Sequence, residues 1–268
     1  MSTAIDRFRH LHESGCFVLP NPWDIGSARF LVHLGFPALA TTSAGFAWSI
    51  GRSDNHITLE EALAHLRVMA SAVDVPINAD FEGGFAVEPE GVAANVAAAA
   101  ATGIAGLSIE DSTGDKDNPL FDFDLAVRRI KAAREALDRS GTGVLLVGRS
   151  EGFIAGRPDL GETIRRLVAY SAAGADCLYA PGLRSMDDIK AVVDAVAPKP
   201  VNVNTGSEFT TLADLAAIGV RRISTGGALA RTAWTGFIAA AKEIADHGTF
   251  SALGRTVPGA EINAFFKP

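Results

Sequence analysis

Short apolar runs rich in Val, Ile and Leu alternate with longer segments of helical periodicity from one end of the chain to the other. This alternation constrains the fold more than any other feature. The runs lie at Cys16 to Leu19, Ala38 to Thr42, Ile77 to Asp80, Gly106 to Ile109, Val144 to Gly148, Cys177 to Ala180, Val201 to Val203 and Arg222 to Ser224, which predicts eight strands. Helices are expected at Asp24 to Leu34, Thr58 to Ala72, Glu88 to Ala101, Phe123 to Asp138, Leu160 to Ala172, Met186 to Val196, Thr211 to Ile218 and Ala228 to Asp246. Thr58 with Glu61 three positions on makes a capping box, and Gly103, Gly174 and Gly219 stand where a left-handed helix cap is expected. Eight βα units with strands apolar on both faces predict a (β/α)8 TIM barrel. The competitor, a doubly wound open sheet, calls for a Gly-rich nucleotide turn after strand 1, where Pro20-Asn21-Pro22-Trp23-Asp24 stands instead. No linker or low-complexity segment interrupts the series, so residues 1–268 read as a single barrel domain with a C-terminal helical extension.

Composition narrows the function. A net charge of −7 provides no basic field for a polyanion, which argues against nucleic acid as a partner. The longest apolar stretches, such as Val92 to Ala101, fall short of the roughly 20 residues that cross a bilayer, so no membrane partner is expected. The only two cysteines, Cys16 and Cys177, sit in apolar runs. They can build neither a disulfide framework nor a Cys-rich zinc site, and a reducing cytoplasm is the expected location. The first fourteen residues have no apolar core of an export signal.

A barrel assembles its active site from the C-terminal ends of its strands. Strand 2 leads into Thr42-Ser43-Ala44-Gly45, strand 3 into Asp80 and Glu82, and strand 4 into Glu110 and Asp111. Strand 5 leads to Arg149 and Glu151, strand 7 to Asn202 and Asn204, and strand 8 to Thr225. Carboxylates on adjacent strand ends repel one another unless a cation lies between them. The donors are oxygens and no histidine ends a strand, which favours Mg2+, or Mn2+, over zinc or iron. The competing reading has Asp80 and Glu110 capping helices or pairing with Arg149. Arg149 itself suits bidentate capture of a substrate carboxylate, or an ion pair with Glu82 or Glu151. Thr42-Ser43-Ala44-Gly45 offers hydroxyls and amides for a carboxylate, and Asn202 is a further candidate substrate contact. None of the six lysines ends a strand, so a Schiff base lacks its amine, and both cysteines read as inert core.

At Asp80-Phe81-Glu82-Gly83-Gly84-Phe85, Ile109-Glu110-Asp111-Ser112 and Gly148-Arg149-Ser150 the chain resembles the isocitrate lyase/phosphoenolpyruvate mutase superfamily, with supporting segments at Gly51-Arg52-Ser53-Asp54 and Arg221 to Gly227. The resemblance runs from about Asn21 to about Trp234. It implies a barrel whose eighth helix is exchanged between subunits of a homodimer or homotetramer, with Mg2+ holding a 2-keto acid or its enolate. It further implies Asp80 as the direct metal ligand, Glu82 and Glu110 as ligands through water, and Asp54 as an acid near the metal's outer shell. By the same resemblance Arg149 holds the substrate carboxylate, and Thr42, Ser43 and Ala44 receive the other end of the acid.

The departures bear on the reaction. The lyases' Cys-bearing loop after strand 4 is replaced by Ser112-Thr113-Gly114-Asp115-Lys116-Asp117-Asn118-Pro119, which has no thiol acid. The phosphonomutases' Lys- and Asn-bearing lid and their histidine after strand 6 are also missing; strand 6 ends at Ala180-Pro181-Gly182. What remains is a metal site, an arginine and backbone donors, the parts that stabilise an enolate. The expected function is Mg2+-dependent C–C cleavage or decarboxylation of a small 2-keto or 2-hydroxy carboxylic acid, with an oxaloacetate-like acid as the favoured case. P–C bond chemistry and a non-catalytic keto-acid binder are the alternatives.

Overall fold

The computed structural model describes residues 3–266. The elements run α1 (Ala4–Leu11), β1 (Phe17–Leu19), α2 (Ile25–His33), β2 (Leu39–Ala40), α3 (Ser43–Ser49), α4 (Leu59–Ala72), β3 (Ile77–Asp80), α5 (Pro89–Ala100), β4 (Gly106–Glu110) and α6 (Phe123–Ser140). They continue as β5 (Leu145–Arg149), α7 (Leu160–Ala172), β6 (Cys177–Tyr179), α8 (Met186–Val196), β7 (Val201–Asn204), α9 (Leu212–Ala217), β8 (Arg222–Ser224), α10 (Ala228–His247), a 3₁₀ turn (Ser251–Arg255) and α11 (Gly259–Phe265).

All eight strands are parallel, in the order β1-β8-β7-β6-β5-β4-β3-β2. At the seam between β1 and β2 the Ala40 amide donates to the Pro20 carbonyl at 3.0 Å. Asn21 stitches the same seam: its amide nitrogen donates to the Thr41 carbonyl (2.7 Å), and its Oδ1 accepts from the backbone of Thr225 and Gly226 (2.9 Å each). The result is a nearly closed (β/α)8 TIM barrel. The Thr58/Glu61 capping box forms at the start of α4, and Gly103, Gly174 and Gly219 take φ of +94°, +105° and +91°, a region that disfavours side chains.

Two helices were not expected. The charged segment Ala4–Leu11 forms α1, which lays the fully buried Phe8 across the barrel's N-terminal end. Thr42, expected to end strand 2, instead caps the short α3, its hydroxyl accepting from the Gly45 amide at 3.2 Å. The 3₁₀ turn and α11 follow α10 as a C-terminal helical extension. Strands β4 and β5 each reach one residue further than expected, which brings Glu110 and Arg149 into the ladder as register partners.

The main apolar core lies between strands and helices, with Leu39, Ile77, Leu107 and Leu146 among its fully or nearly fully buried residues. The barrel interior is unusually polar: Asn78, Ser108, Asn202, Arg222 and Ser224 are all buried, where such interiors ordinarily hold branched apolar residues. Of α10's twenty residues only Ala230 is buried. Its most extensive contacts are with the 3₁₀ turn that follows, and Trp234, Phe237 and Ile238 remain exposed. No helix among the described residues is long and apolar enough to cross a membrane. Cys177 is buried and Cys16 half-buried; both thiols are free, and burial raises the pKa of each. Lys267 lies outside the described residues.

Candidate active site

A cavity of about 280 Å³ opens at the C-terminal ends of the strands, lined by Ser43, Asp54, Asp80, Arg149, Tyr179 and Asn204 among others. Its centre is Arg149. One Nη1 lies 3.1 Å from Asp80 and 3.2 Å from Glu110, while Nε donates to Glu151. The registers Glu110↔Arg149 and Arg149↔Tyr179 place these groups side by side, and the guanidinium carbon lies 5.1 Å from the Tyr179 ring centroid. Asp80 is fixed from its other side. The Ser43 amide and hydroxyl donate to Oδ2 at 3.0 and 2.9 Å, and the Asp80 amide donates to the Thr41 hydroxyl.

The cluster holds more negative charge than its one arginine balances. Glu82 is pushed up to about 8, first by burial and then by Asp80 and Asp54. Glu110 is raised well above the carboxylate range by burial, with Glu151, Asp80 and Glu82 adding to it against Arg149. Glu151 is raised by burial against the same arginine. Burial opposes the Arg149 charge, yet Glu151, Glu110, Tyr179 and Asp80 together keep it firmly protonated.

Glu82 stands on a constrained loop. It has a φ of +47°, and Phe85 of +54°, a region that side chains reach only when their surroundings hold them there. Arg129 of α6 supplies that hold: it is 1% exposed, donates to the carbonyls of Gly83, Ala86 and Val87, and stacks on Phe121. Nothing in the sequence marks this mid-helix arginine as part of the site.

The structure brings Asp80, Glu110 and Arg149 together and separates other candidates. Glu82 and Glu110 face a side cleft of about 310 Å³ with Asn55 and Phe121, whereas Asp80 and Asp54 line the central cavity. Glu82 makes no ion pair with Arg149 within 4 Å; Glu151 does. Asn202 lies at the cavity floor with its amide fully engaged, donating to Ser224 at 3.0 Å and accepting from Arg222 at 2.9 Å. Asn204, two residues on, occupies the mouth. Thr42 is a helix cap and the Ser43 amide serves Asp80, while Ala44 lines the cavity. Asp111 points away from the barrel axis, to Arg166 (3.0 Å), Tyr170 (2.6 Å) and the Glu151 amide (2.7 Å), which makes it a structural anchor.

Tyr179 is a cavity residue that sequence reasoning overlooked, because a tyrosine inside an apolar run reads as core. Its hydroxyl accepts from the Asn204 amide nitrogen at 3.0 Å, and burial raises its pKa, so it stays a neutral O–H.

Among the described residues, no three acidic, His or Cys side chains converge as a ready-made metal cage. The donor set nonetheless fits Mg2+, which binds through one or two carboxylates and keeps most of its waters. Glu82 Oε1 is buried without a hydrogen-bond partner, and such an orphan beside excess negative charge is what a cation with its water shell satisfies. Asp80 would be the direct ligand, with Glu82 and Glu110 reaching it through water.

Residues 8–245 match the phosphoenolpyruvate phosphomutase family. An oxaloacetate decarboxylase of Rhodopseudomonas palustris (strain BisB5) is 31% identical over 79% of this chain and 74% of its own. A candidate lyase/mutase from Burkholderia cenocepacia J2315 superposes with a TM-score of 0.95 at 47% identity, covering 98% of this chain and 96% of that one. Phosphonopyruvate hydrolase, solved with oxalate and Mg2+, superposes with a TM-score of 0.85 at 25% identity, over 98% and 95% of the two chains. With the barrel, the strand-end carboxylates and these likenesses in agreement, the chain belongs to the phosphoenolpyruvate phosphomutase family, within the superfamily that also holds the isocitrate lyases.

Proposed function

We propose that this chain is a Mg2+-dependent lyase that cleaves a small 2-oxo or 2-hydroxy carboxylic acid through a pyruvate-type enolate. The observation that carries this reading is the gathering of Asp80, Glu110 and Glu151 around Arg149 at the strand ends, with Glu82 and Asp54 beside them and too few cations to balance them. Bound there, Mg2+ would neutralise charge that develops on the enolate oxygen as the bond breaks. Ser43 orients Asp80; Arg149 presents its remaining N–H edge to a substrate carboxylate; Tyr179 offers a neutral O–H to the reacting fragment. Decarboxylation of an oxaloacetate-like acid asks least of acid–base groups, and the oxaloacetate decarboxylase relatives support that case. P–C bond chemistry would need a basic lid, and the loop here carries Asp115 and Asp117 beside its one Lys116.

We also infer a homodimer or homotetramer in a reducing cytoplasm. The apolar face of α10 finds no cover among the described residues of one chain, and both thiols are free.

Oxalate, a planar mimic of the pyruvate enolate, tests the function. Thermal stabilisation that requires both oxalate and Mg2+ is expected. No shift at saturating concentrations of both refutes the site. Oxalate binding without turnover of any C–C or P–C substrate would leave a keto-acid binding protein.

A further inference from the structure

The turn that carries Glu82 has a backbone its own residues disfavour. Glu82 and Phe85 both take positive φ without being glycine, a state that persists only where the surroundings over-determine it. Two helices supply those surroundings. Asn95 of α5 donates its amide nitrogen to the carbonyls of Gly84 (2.9 Å) and Phe85 (3.3 Å). Arg129 of α6 takes the carbonyls on either side of these: Nη1 donates to Ala86 and Val87 and Nη2 to Gly83, so one planar group spans both ends of the turn. Although buried, Arg129 enters no ion pair among the described residues. Its charge is answered by main-chain carbonyls, which makes it a clamp on backbone.

The same guanidinium reaches a second loop. Its carbon lies 3.9 Å from the centroid of the Phe121 ring. Phe121 closes the segment that leaves β4: its amide donates to the Asp111 carbonyl at 2.9 Å, Ser112 and Leu120 form an antiparallel bridge, and the Thr113 amide donates to the Pro119 carbonyl at 3.0 Å. The turn after β3 is pressed against this exit. A Cβ on Gly83 would stand 3.2 Å from Arg129 Nη2 and 3.4 Å from the Ser112 carbonyl oxygen. Glu82, Glu110, Ser112, Phe121 and Arg129 thus line one side cleft. Glu82 Oε1 is buried there without a hydrogen-bond partner, so the backbone beneath it sets where that oxygen stands.

We propose that Arg129 is a positioning residue for the divalent cation: bonded to Gly83, Ala86 and Val87 and stacked on Phe121, it fixes the Glu82 backbone against the exit of β4, so that Glu82 meets the cation's water shell together with Glu110 and Asp80. This rests on the metal reading of the site. The role calls for arginine. A lysine keeps the charge but brings one nitrogen and no plane, so it can neither bond both ends of the turn nor stack on the ring. Groups that orient metal ligands from behind in this way change metal affinity about 10- to 100-fold when removed.

The test is calorimetric titration of Mg2+ into the full chain with oxalate present. Arg129→Lys should bind Mg2+ about tenfold more weakly or worse, and Phe121→Leu, which removes the ring, should weaken it in the same direction. In Arg129→Gly, ethylguanidinium in the buffer should restore affinity and ethylammonium should not. A cycle with Glu82→Gln separates positioning from general loosening. Because Arg129 acts through Glu82, Arg129→Lys should add less than about twofold to the loss that Glu82→Gln itself causes, whereas a loosened fold would add in full. If Arg129→Lys does not fold, Gly83→Ala, which crowds the guanidinium from the loop side, carries the same cycle. Mg2+ affinity unchanged in the folded variant, or a loss that adds in full to that of Glu82→Gln, overturns the proposal. A wild-type chain that binds no Mg2+ with oxalate present overturns instead the metal site on which it rests.

Discussion

Mg2+ should bind this chain more tightly as the pH rises from 6 to 8. Without metal, Glu82 titrates at about 8, held up by burial first and by Asp80 and Asp54 next. A cation that needs the ionised carboxylate must displace its proton, so affinity follows the ionised fraction. For Glu82 that fraction is about 1% at pH 6 and about half at pH 8, which makes apparent binding about 50-fold tighter at the higher pH; Glu110, also raised, steepens the dependence. The same group links to stability. Between its ordinary value of 4.5 and about 8 the folded chain holds a proton that the unfolded chain has lost. The contribution is therefore complete below pH 4.5 and fades as the pH climbs toward 8, where Mg2+ should stabilise the fold most. Titration of Mg2+ in the presence of oxalate, in buffers of contrasting ionisation enthalpy at pH 6, 7 and 8, reads both affinity and proton release. Glu82→Gln should flatten the profile. Mg2+ binding of equal strength at pH 6 and 8, with no proton released, would refute the reasoning.

Asp80→Asn keeps the Ser43 contacts available but removes the anion, so Mg2+-dependent oxalate stabilisation should vanish while circular dichroism stays unchanged; a full response would refute Asp80 as ligand. Arg149→Lys keeps the charge but loses the planar fork, and 2-oxo acid affinity should fall about tenfold; unchanged affinity would confine Arg149 to holding carboxylates. Tyr179→Phe should lower kcat on whichever acid is turned over and leave oxalate binding intact, whereas an unaltered kcat removes the phenol from the reaction. Light scattering should report a dimer or tetramer that Phe237→Asp disrupts, and a monomeric wild-type chain would leave the α10 face unexplained.

The barrel was legible because its signals are periodic: each strand is an apolar run, and each helix start or stop carries a cap such as Thr58 or Gly174. Asp80, Glu110 and Arg149 were legible because topology alone gathers strand ends. Adjacency was less informative. Glu110 and Asp111 are neighbours in sequence, yet alternation along β4 sends one to Arg149 and the other to Arg166 and Tyr170. Asn202 and Asn204 share a face of β7 but differ by one layer in depth, which decides that the first serves Arg222 and the second the mouth. Arg129 and Tyr179 were illegible because their roles arise from contacts between segments more than twenty residues apart.

The polar barrel interior gives the site its direction. Arg222 is a buried cation with no acid paired to it among the described residues, and burial lowers its pKa, so its charge is costly unless dipoles or an anion answer it. Asn202 and Asn78 supply dipoles, and His12 of the closing N-terminal segment sits 3.5 Å from its Nη1. Burial and then the Arg222 charge lower His12 to about 3, which keeps the imidazole neutral; with Nδ1 donating to the Phe8 carbonyl, Nε2 is left to accept from Arg222. The N-terminal cap of the barrel therefore sustains a positive charge under the mouth, on the side opposite the excess of carboxylates. A field of that sense runs across the cavity from the arginines to the acids.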